Sequence, residues 1–140
     1  PEYRENELCY EDYRALRTLA GWENHSEEQT RRALAAALYD VTAVEDGRAV
    51  ARGFGGDGLY DVIADVVVAP EYQGRGIGKA VAEKLLAYAQ SRLPPGGRTS
   101  VQLIAAEGKK GFYEKMGFRK MPGGGCGFAL RRVLHGHPAE

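Results

Sequence analysis

Gly74, Gly76 and Gly78 alternate with Arg75, Ile77 and Lys79 directly after an apolar run and a proline, and this spacing points to an anion site. Glycines leave backbone N–H groups bare where a helix begins, and a helix N-terminus turns its free donors and the positive end of its dipole to one place. Arg75 and Lys79 add formal charge there. Phosphate suits such an arrangement, so the question is which phosphate. A P-loop needs a glycine at position 73 and a hydroxyl after the lysine, whereas the chain has Gln73 and Ala80. A dinucleotide fingerprint counted from Gly74 needs its third glycine where Lys79 stands. Both nucleotide patterns fail, which weakens a nucleotide-binding reading.

The elements that must hold this loop lie on either side of it. Val66, Val67 and Val68 are β-branched and continuously apolar, as in a strand covered on both faces, and Pro70 removes a donor and stops the ladder. Ile77, Val81, Leu85 and Tyr88 then share one face of a long helix that ends before Pro94-Pro95-Gly96-Gly97. Upstream, Tyr39 to Glu45 alternates, Asp46-Gly47 is a two-residue hairpin signal, and Arg48 to Phe54 returns. The cluster Gly53 to Gly58 implies a second antiparallel turn into a strand from Leu59 to Ala69. Two short helices precede the sheet. One starts at Glu11 with Tyr13, Leu16, Leu19 and Ala20 at helical spacing and Gly21 as its stop. The other opens at the capping box Ser26-Glu27-Glu28-Gln29 and faces inward with Leu34, Ala37 and Leu38. Residues 3–8 alternate weakly and read as a short first strand. Thr99 to Ala105 is a strand reached through the long helix, hence parallel to the central one. A short helix from Gly108 to Met116 follows. Phe118 to Met121 and Gly127 to Val133 read as a closing pair of strands linked by Gly123-Gly124-Gly125.

With 140 residues, 44% hydrophobic and 27% charged, the chain is sized for one domain, residues 1–140, with 135–140 as a frayed tail. Its net charge of zero gives no field to gather nucleic acid or an anionic membrane, so neither is an expected partner. No run approaches the ~20 apolar residues of a membrane span, and PEYRENELCYEDY is not a leader, so a cytoplasmic protein is expected. Cys9 and Cys126 lack metal-ligand spacing, and His135 and His137 sit in the tail, so no metal is expected.

Gln73-x-x-Gly76-x-Gly78, after an apolar strand and Pro70 and before a helix, resembles the acyl-CoA pyrophosphate loop of the GNAT superfamily of N-acetyltransferases. The stretch Ala105-Ala106-Glu107-Gly108-Lys109-Lys110-Gly111-Phe112-Tyr113-Glu114-Lys115-Met116-Gly117-Phe118 resembles its later motif, a short helix carrying Phe-Tyr that ends at a Gly-Phe pair. The two occur in the right order and separation, and the likeness covers roughly residues 40–132. The resemblance implies an α/β (α+β) fold: a mixed, mostly antiparallel sheet with a central splayed parallel pair, flanked by about four helices. It implies acetyl-CoA as co-substrate, without a metal. The cofactor residues would be Val66, Val67, Val68, Gln73, Gly74, Arg75, Gly76, Ile77, Gly78, Lys79, Lys109 and Phe112. In that fold the pantetheine arm lies in the splay like an added strand, here against the backbone of Val66 and Val68. The segment between the first two helices forms one acceptor wall, which makes Trp22 and His25 substrate candidates. On the residues alone, packing the joint between those helices is the favoured reading of Trp22, and His25 reads as a surface loop residue.

Acetyl transfer to an amine requires a neutral nucleophile, polarisation of the thioester carbonyl and protonation of the departing thiolate. A backbone N–H of the Val66–Val68 strand serves the carbonyl without any special side chain. By resemblance Tyr113 is the general acid, a phenol with pKa ~10 that is protonated at neutral pH. Gly108 and Gly111 disfavour helix, so the helix bearing it is expected to be short. Asp61 and Asp65 lie four apart on one strand face, and Asp65 is the candidate general base, with a structural aspartate as the alternative. The expectation is an N-acetyltransferase acting by direct attack of a primary amine, that of a small-molecule acceptor, on acetyl-CoA. The alternative is an acyl-CoA-binding sensor or partner module with little turnover, against which Tyr113 stands. Gly127 to Val133, as an apolar edge strand, also suggests a symmetric homodimer.

Overall fold

The computed structural model describes residues 1–37, 39–55 and 60–137, with the backbone alone at Phe54, Gly55 and Asp65. Leu38, residues 56–59 of the second turn and the strand entry, and residues 138–140 of the expected tail lie outside the described residues. The chain forms two compact units, Pro1–Leu103 and Ile104–Glu140.

The first unit holds β1 (Glu2–Glu5), α1 (Tyr10–Leu19), α2 (Glu27–Ala36), β2 (Tyr39–Glu45), β3 (Arg48–Gly55), β4 (Tyr60–Val62), β5 (Ala64–Val68), a 3-10 turn (Pro70–Tyr72), α3 (Ile77–Ser91) and β6 (Ser100–Gln102). An antiparallel sheet runs in the order β1-β2-β3-β5, and β4 pairs with β6 in parallel. The hairpin of β2 and β3 turns at Asp46-Gly47, where both residues take positive φ, as a two-residue loop matching the strand twist requires.

Consecutive strand residues face opposite ways, and Arg52 and Gly53 mark the two layers. A Cβ at Gly53 would lie 3.0 Å from a Leu85 methyl and 3.2 Å from Val81, so α3 packs there at close quarters. On this face Tyr39 stacks on Tyr88 with ring centroids 3.7 Å apart, and Val41, Ala43, Val81 and Ala82 have no exposed surface. The side chain of Arg52 turns the other way, under α1, with its guanidinium 4.1 Å from the Tyr13 ring centroid. Two helical faces differ in detail from the pattern. Tyr88 is half-buried and does its work by stacking, and α2 buries Thr30, whose hydroxyl bonds the Ser26 carbonyl, rather than Leu34 or Ala37. Ser26 caps α2 as expected, accepting from the Gln29 N–H at 3.2 Å.

The strand expected from Leu59 to Ala69 is broken at Ile63. Its first part pairs with β6, its second with β3, so Asp61 and Asp65 belong to different ladders rather than to one strand face. A register shift between Arg52 and Phe54 accompanies the break. The strand expected from Thr99 to Ala105 is confined to Ser100–Gln102.

In the second unit, α4 (Lys110–Glu114) is short, as its glycines foretell. The closing strand pair expected at Phe118–Met121 and Gly127–Val133 does not form. Among the described residues the only pairing there is a bridge between Gly123 and Cys126. Phe128, Leu130, Val133 and Leu134 are exposed, and β-prone residues make a strand only where a partner edge and a burying surface receive them. The edge strand behind the homodimer expectation is therefore absent.

Candidate active site

The open edge of β5 follows from hydrogen-bond parity. Ala69 N–H donates to Val50 O at 2.7 Å, and Val67 sits opposite Arg52, so in this antiparallel ladder Ala69 and Val67 address β3. Val66 and Val68 then aim their N–H and C=O groups away from it. On that outer side the parallel pairing ends at Ile63 N–H to Gln102 O, 2.9 Å, beyond which β6 stops. The parallel pairing therefore stops at Ile63, before Val66 to Val68 are reached. Val67 is buried and Val66 and Val68 are half-buried.

Pro70 turns the chain into the 3-10 turn, closed by Tyr72 N–H to Ala69 O at 2.9 Å and Gln73 N–H to Pro70 O at 3.3 Å. Gln73 Nε2 reaches back to the Val68 carbonyl at 3.1 Å. Gln73 therefore spends both its amide and its side chain on holding the loop to the end of β5, and the open donors come after it. Gly76 is the N-cap of α3 with φ +78° and has no side chain to cap the first turn; the first helical bond is Ala80 N–H to Gly76 O, 3.0 Å. The N–H groups of Gly76, Ile77, Gly78 and Lys79 are the four that a helix leaves without intrahelical partners. Nothing lies within 4 Å of a Cβ built at Gly74 or Gly76, so the approach is clear. Ile77 anchors the turn from inside at 3% exposure.

Charge surrounds the loop. The Arg75 guanidinium lies 5.0 Å from the Tyr72 ring centroid and 4.0 Å from Glu45, and Lys79 lies 3.8 Å from Glu83, both cations being largely exposed. Arg48 pairs with Glu71 at 2.8 Å and leans on the same Tyr72, which is buried and fixes the turn. A pyrophosphate fits an open helix start flanked by cations, and an extended amide-bearing arm fits the free edge of β5. The residues present thus fit acetyl-CoA.

Of the acceptor candidates, Trp22 is half-buried with its ring 5.4 Å from the Arg17 guanidinium, and His25 is exposed. The Asp65 side chain lies outside the described residues. Asp61, 5% exposed, accepts from Thr99 Oγ1 at 2.6 Å and so ties β4 to the approach to β6.

In the second unit Lys109 is the N-cap of α4, and Phe112 and Tyr113 meet edge-on with centroids 5.0 Å apart. Tyr113 is half-buried, and burial pushes its phenol above the ordinary value. Among the described residues no His, Cys, Asp and Glu cluster could hold a metal, and no helix is long and apolar enough to cross a membrane.

Pattern reading missed a buried polar layer beneath α1: Arg52 has no exposed surface, and Asp40 and Thr42 are almost as deep. Burial raises the Asp40 carboxyl, while backbone N–H groups of residues 6 to 8 and the charge of Arg52 oppose the rise. The signal was an arginine at an inward position of Val50-Ala51-Arg52-Gly53.

Residues 23–120 match the family described as Acetyltransferase (GNAT) domain. Serotonin N-acetyltransferase 2, chloroplastic, from Oryza sativa subsp. japonica is 36% identical over 80% of this chain and 57% of its own length. The chain thus spans little more than half of that curated relative. Among solved structures, a probable acetyltransferase of unknown function from meticillin-resistant Staphylococcus aureus superposes with a TM-score of 0.80 at 28% identity, over 94% of this chain and 98% of that one. A GNAT family acetyltransferase from Streptococcus pneumoniae gives 0.77 at 27%, over 96% and 98%. The splayed strands, the glycine-opened helix and these likenesses agree, and the chain belongs to the GNAT acetyltransferase family.

Proposed function

We propose that the protein is an acetyl-CoA-dependent N-acetyltransferase acting on the primary amine of a small molecule. The observation that carries the reading is the continuity of two open donor arrays, the edge of β5 at Val66 and Val68 and the helix start from Gly76 to Lys79, joined by the Gln73–Val68 hydrogen bond. The helix start holds pyrophosphate, and the β5 edge orients the pantetheine arm. A β5 N–H donates to the thioester oxygen. The amine nitrogen bonds to the carbonyl carbon as the carbon–sulfur bond breaks, Asp65 takes the proton lost from nitrogen, and the Tyr113 phenol gives one to the departing sulfur.

The two units act as one acetyltransferase domain, an inference supported by a family match that runs across Leu103 and Ile104. The acceptor wall includes Trp22 and His25. The rice relative's name makes serotonin the first amine to test. A homodimer and a cytoplasmic setting belong to the proposal as well. Exposed Phe128 and Leu130 support the first, and the neutral net charge disfavours nucleic acid and an anionic membrane as partners.

The test is a panel of serotonin, glucosamine 6-phosphate, spermidine and a lysine peptide with acetyl-CoA, read by thiol release and product mass. Acetylation of at least one amine is expected. Tight acetyl-CoA binding without transfer to any of them would leave a binding module instead.

A further inference from the structure

We propose that Arg17 is a positioning residue that fixes Trp22 and the α1–α2 loop as a rigid acceptor wall, an inference resting on the acetyltransferase reading above. Arg17 lies in the last turn of α1 and is 8% exposed. Its Nε donates to Glu23 O at 3.0 Å and its Nη2 donates to the same carbonyl, six residues on and past the end of the helix. Its own carbonyl accepts the Trp22 N–H at 2.9 Å. Both ends of one residue therefore hold the loop. Asn24 adds a bond from Nδ2 to Thr18 Oγ1 at 2.9 Å.

The guanidinium also lies within cation–π reach of two rings. It lies 5.4 Å from the Trp22 ring and 5.6 Å from the Tyr13 ring, and Tyr13 is in turn 4.1 Å from the guanidinium of Arg52. Arg52 is the register partner of Val67, in the middle of the open strand β5. The array Arg52–Tyr13–Arg17–Trp22 thus runs from β3, the neighbour of the strand proposed to orient the thioester, to the loop proposed to receive the amine. A planar fork can place two N–H groups on one carbonyl while its faces rest against rings, which a lysine ammonium cannot do. Arg17 sets the distance between the amine and the thioester without touching either.

Trp22 is the chain's single tryptophan, so its fluorescence reports the loop directly. Acrylamide quenching is measured on the parent, Arg17→Met and Arg17→Lys, together with KM for acetyl-CoA and for the best amine of the panel. Circular dichroism checks the fold, and Arg17→Lys carries both readouts if Arg17→Met does not fold. Loss of a charge-assisted pair of bonds predicts that Arg17→Met is quenched about twofold more readily and that its KM for the amine rises about tenfold, while KM for acetyl-CoA stays within about twofold. Arg17→Lys should fall between. Unchanged quenching overturns the clamp. Altered quenching with both KM values unchanged, or moving together, reduces Arg17 to a fold residue. A parent that binds acetyl-CoA and acetylates no amine overturns the acetyltransferase reading and the role toward an acceptor, while the quenching still decides the clamp.

Discussion

Phe118 meets the ring of Tyr113 edge-on, with centroids 5.8 Å apart and planes at 80°. The end of α4 produces this contact. Phe118 N–H donates to Tyr113 O at 3.2 Å and Gly117 N–H to Glu114 O at 3.1 Å, the paired bonds of a Schellman stop, with Gly117 at φ +93°. That stop brings the residue after the glycine onto the residue three before the cap. The Gly-Phe pair therefore follows Phe-Tyr for a physical reason: the helix stop seats the ring of Phe118 against that of Tyr113.

Gly117→Ala should show this. A side chain in the left-handed region costs about 1–2 kcal/mol, and here it would loosen the stop that seats Phe118. Thermal denaturation should show a lower Tm, and kcat should fall more than KM for acetyl-CoA rises. Equal kcat in the two proteins would mean that the helix stop does not position Tyr113.

At the other motif, Gly76→Val places a β-branched residue at φ +78° and fills the approach to the donors. Acetyl-CoA binding of micromolar strength, about −7 to −8 kcal/mol, is expected for the parent. Calorimetry should find it weakened by about tenfold or more, the equivalent of ~1.4 kcal/mol. Equal affinity would remove the pyrophosphate from this loop.

The loop was legible because its chemistry is local: glycine spacing and a helix start specify open donors without knowledge of the rest of the chain. The hairpin at Asp46-Gly47 and the β-α-β arrangement were legible for the same reason. What failed depended on distant partners. The break at Ile63 exists because two neighbours, β3 and β6, pull one apolar run into different ladders, and alternation cannot show that. Gly127 to Val133 has the composition of a strand and no ladder. The Arg52–Tyr13–Arg17–Trp22 array joins residues up to 39 positions apart through ring faces, a contact that leaves no periodic trace.

Gln73 offers a narrower test. Its side chain supports the loop through the Val68 carbonyl, so Gln73→Leu should weaken acetyl-CoA binding by the net worth of one hydrogen bond, about 0.5–1.5 kcal/mol or roughly 2- to 12-fold. A change of hundredfold would instead assign the carboxamide to the phosphate itself.

Tyr113→Phe decides between an enzyme and a binding module. The variant keeps the ring and its two edge contacts while removing the proposed proton donor, so acetyl-CoA affinity should hold and kcat should fall about 10²- to 10⁴-fold, roughly 3 to 5 kcal/mol of barrier. Because the donated proton matters only as charge develops on sulfur, kcat and kcat/KM should fall together. The pH profile supplies the sign. The donor is present below its pKa, and burial raises that pKa above the free-phenol value. The parent rate should therefore climb as the amine and its base deprotonate, and decline only above pH ~10. A decline centred below that value would belong to another group. The variant should lose the decline altogether. If instead it keeps more than about half of the parental kcat on a true acceptor, with product release excluded as the slow step, Tyr113 serves packing and the thiolate takes its proton elsewhere.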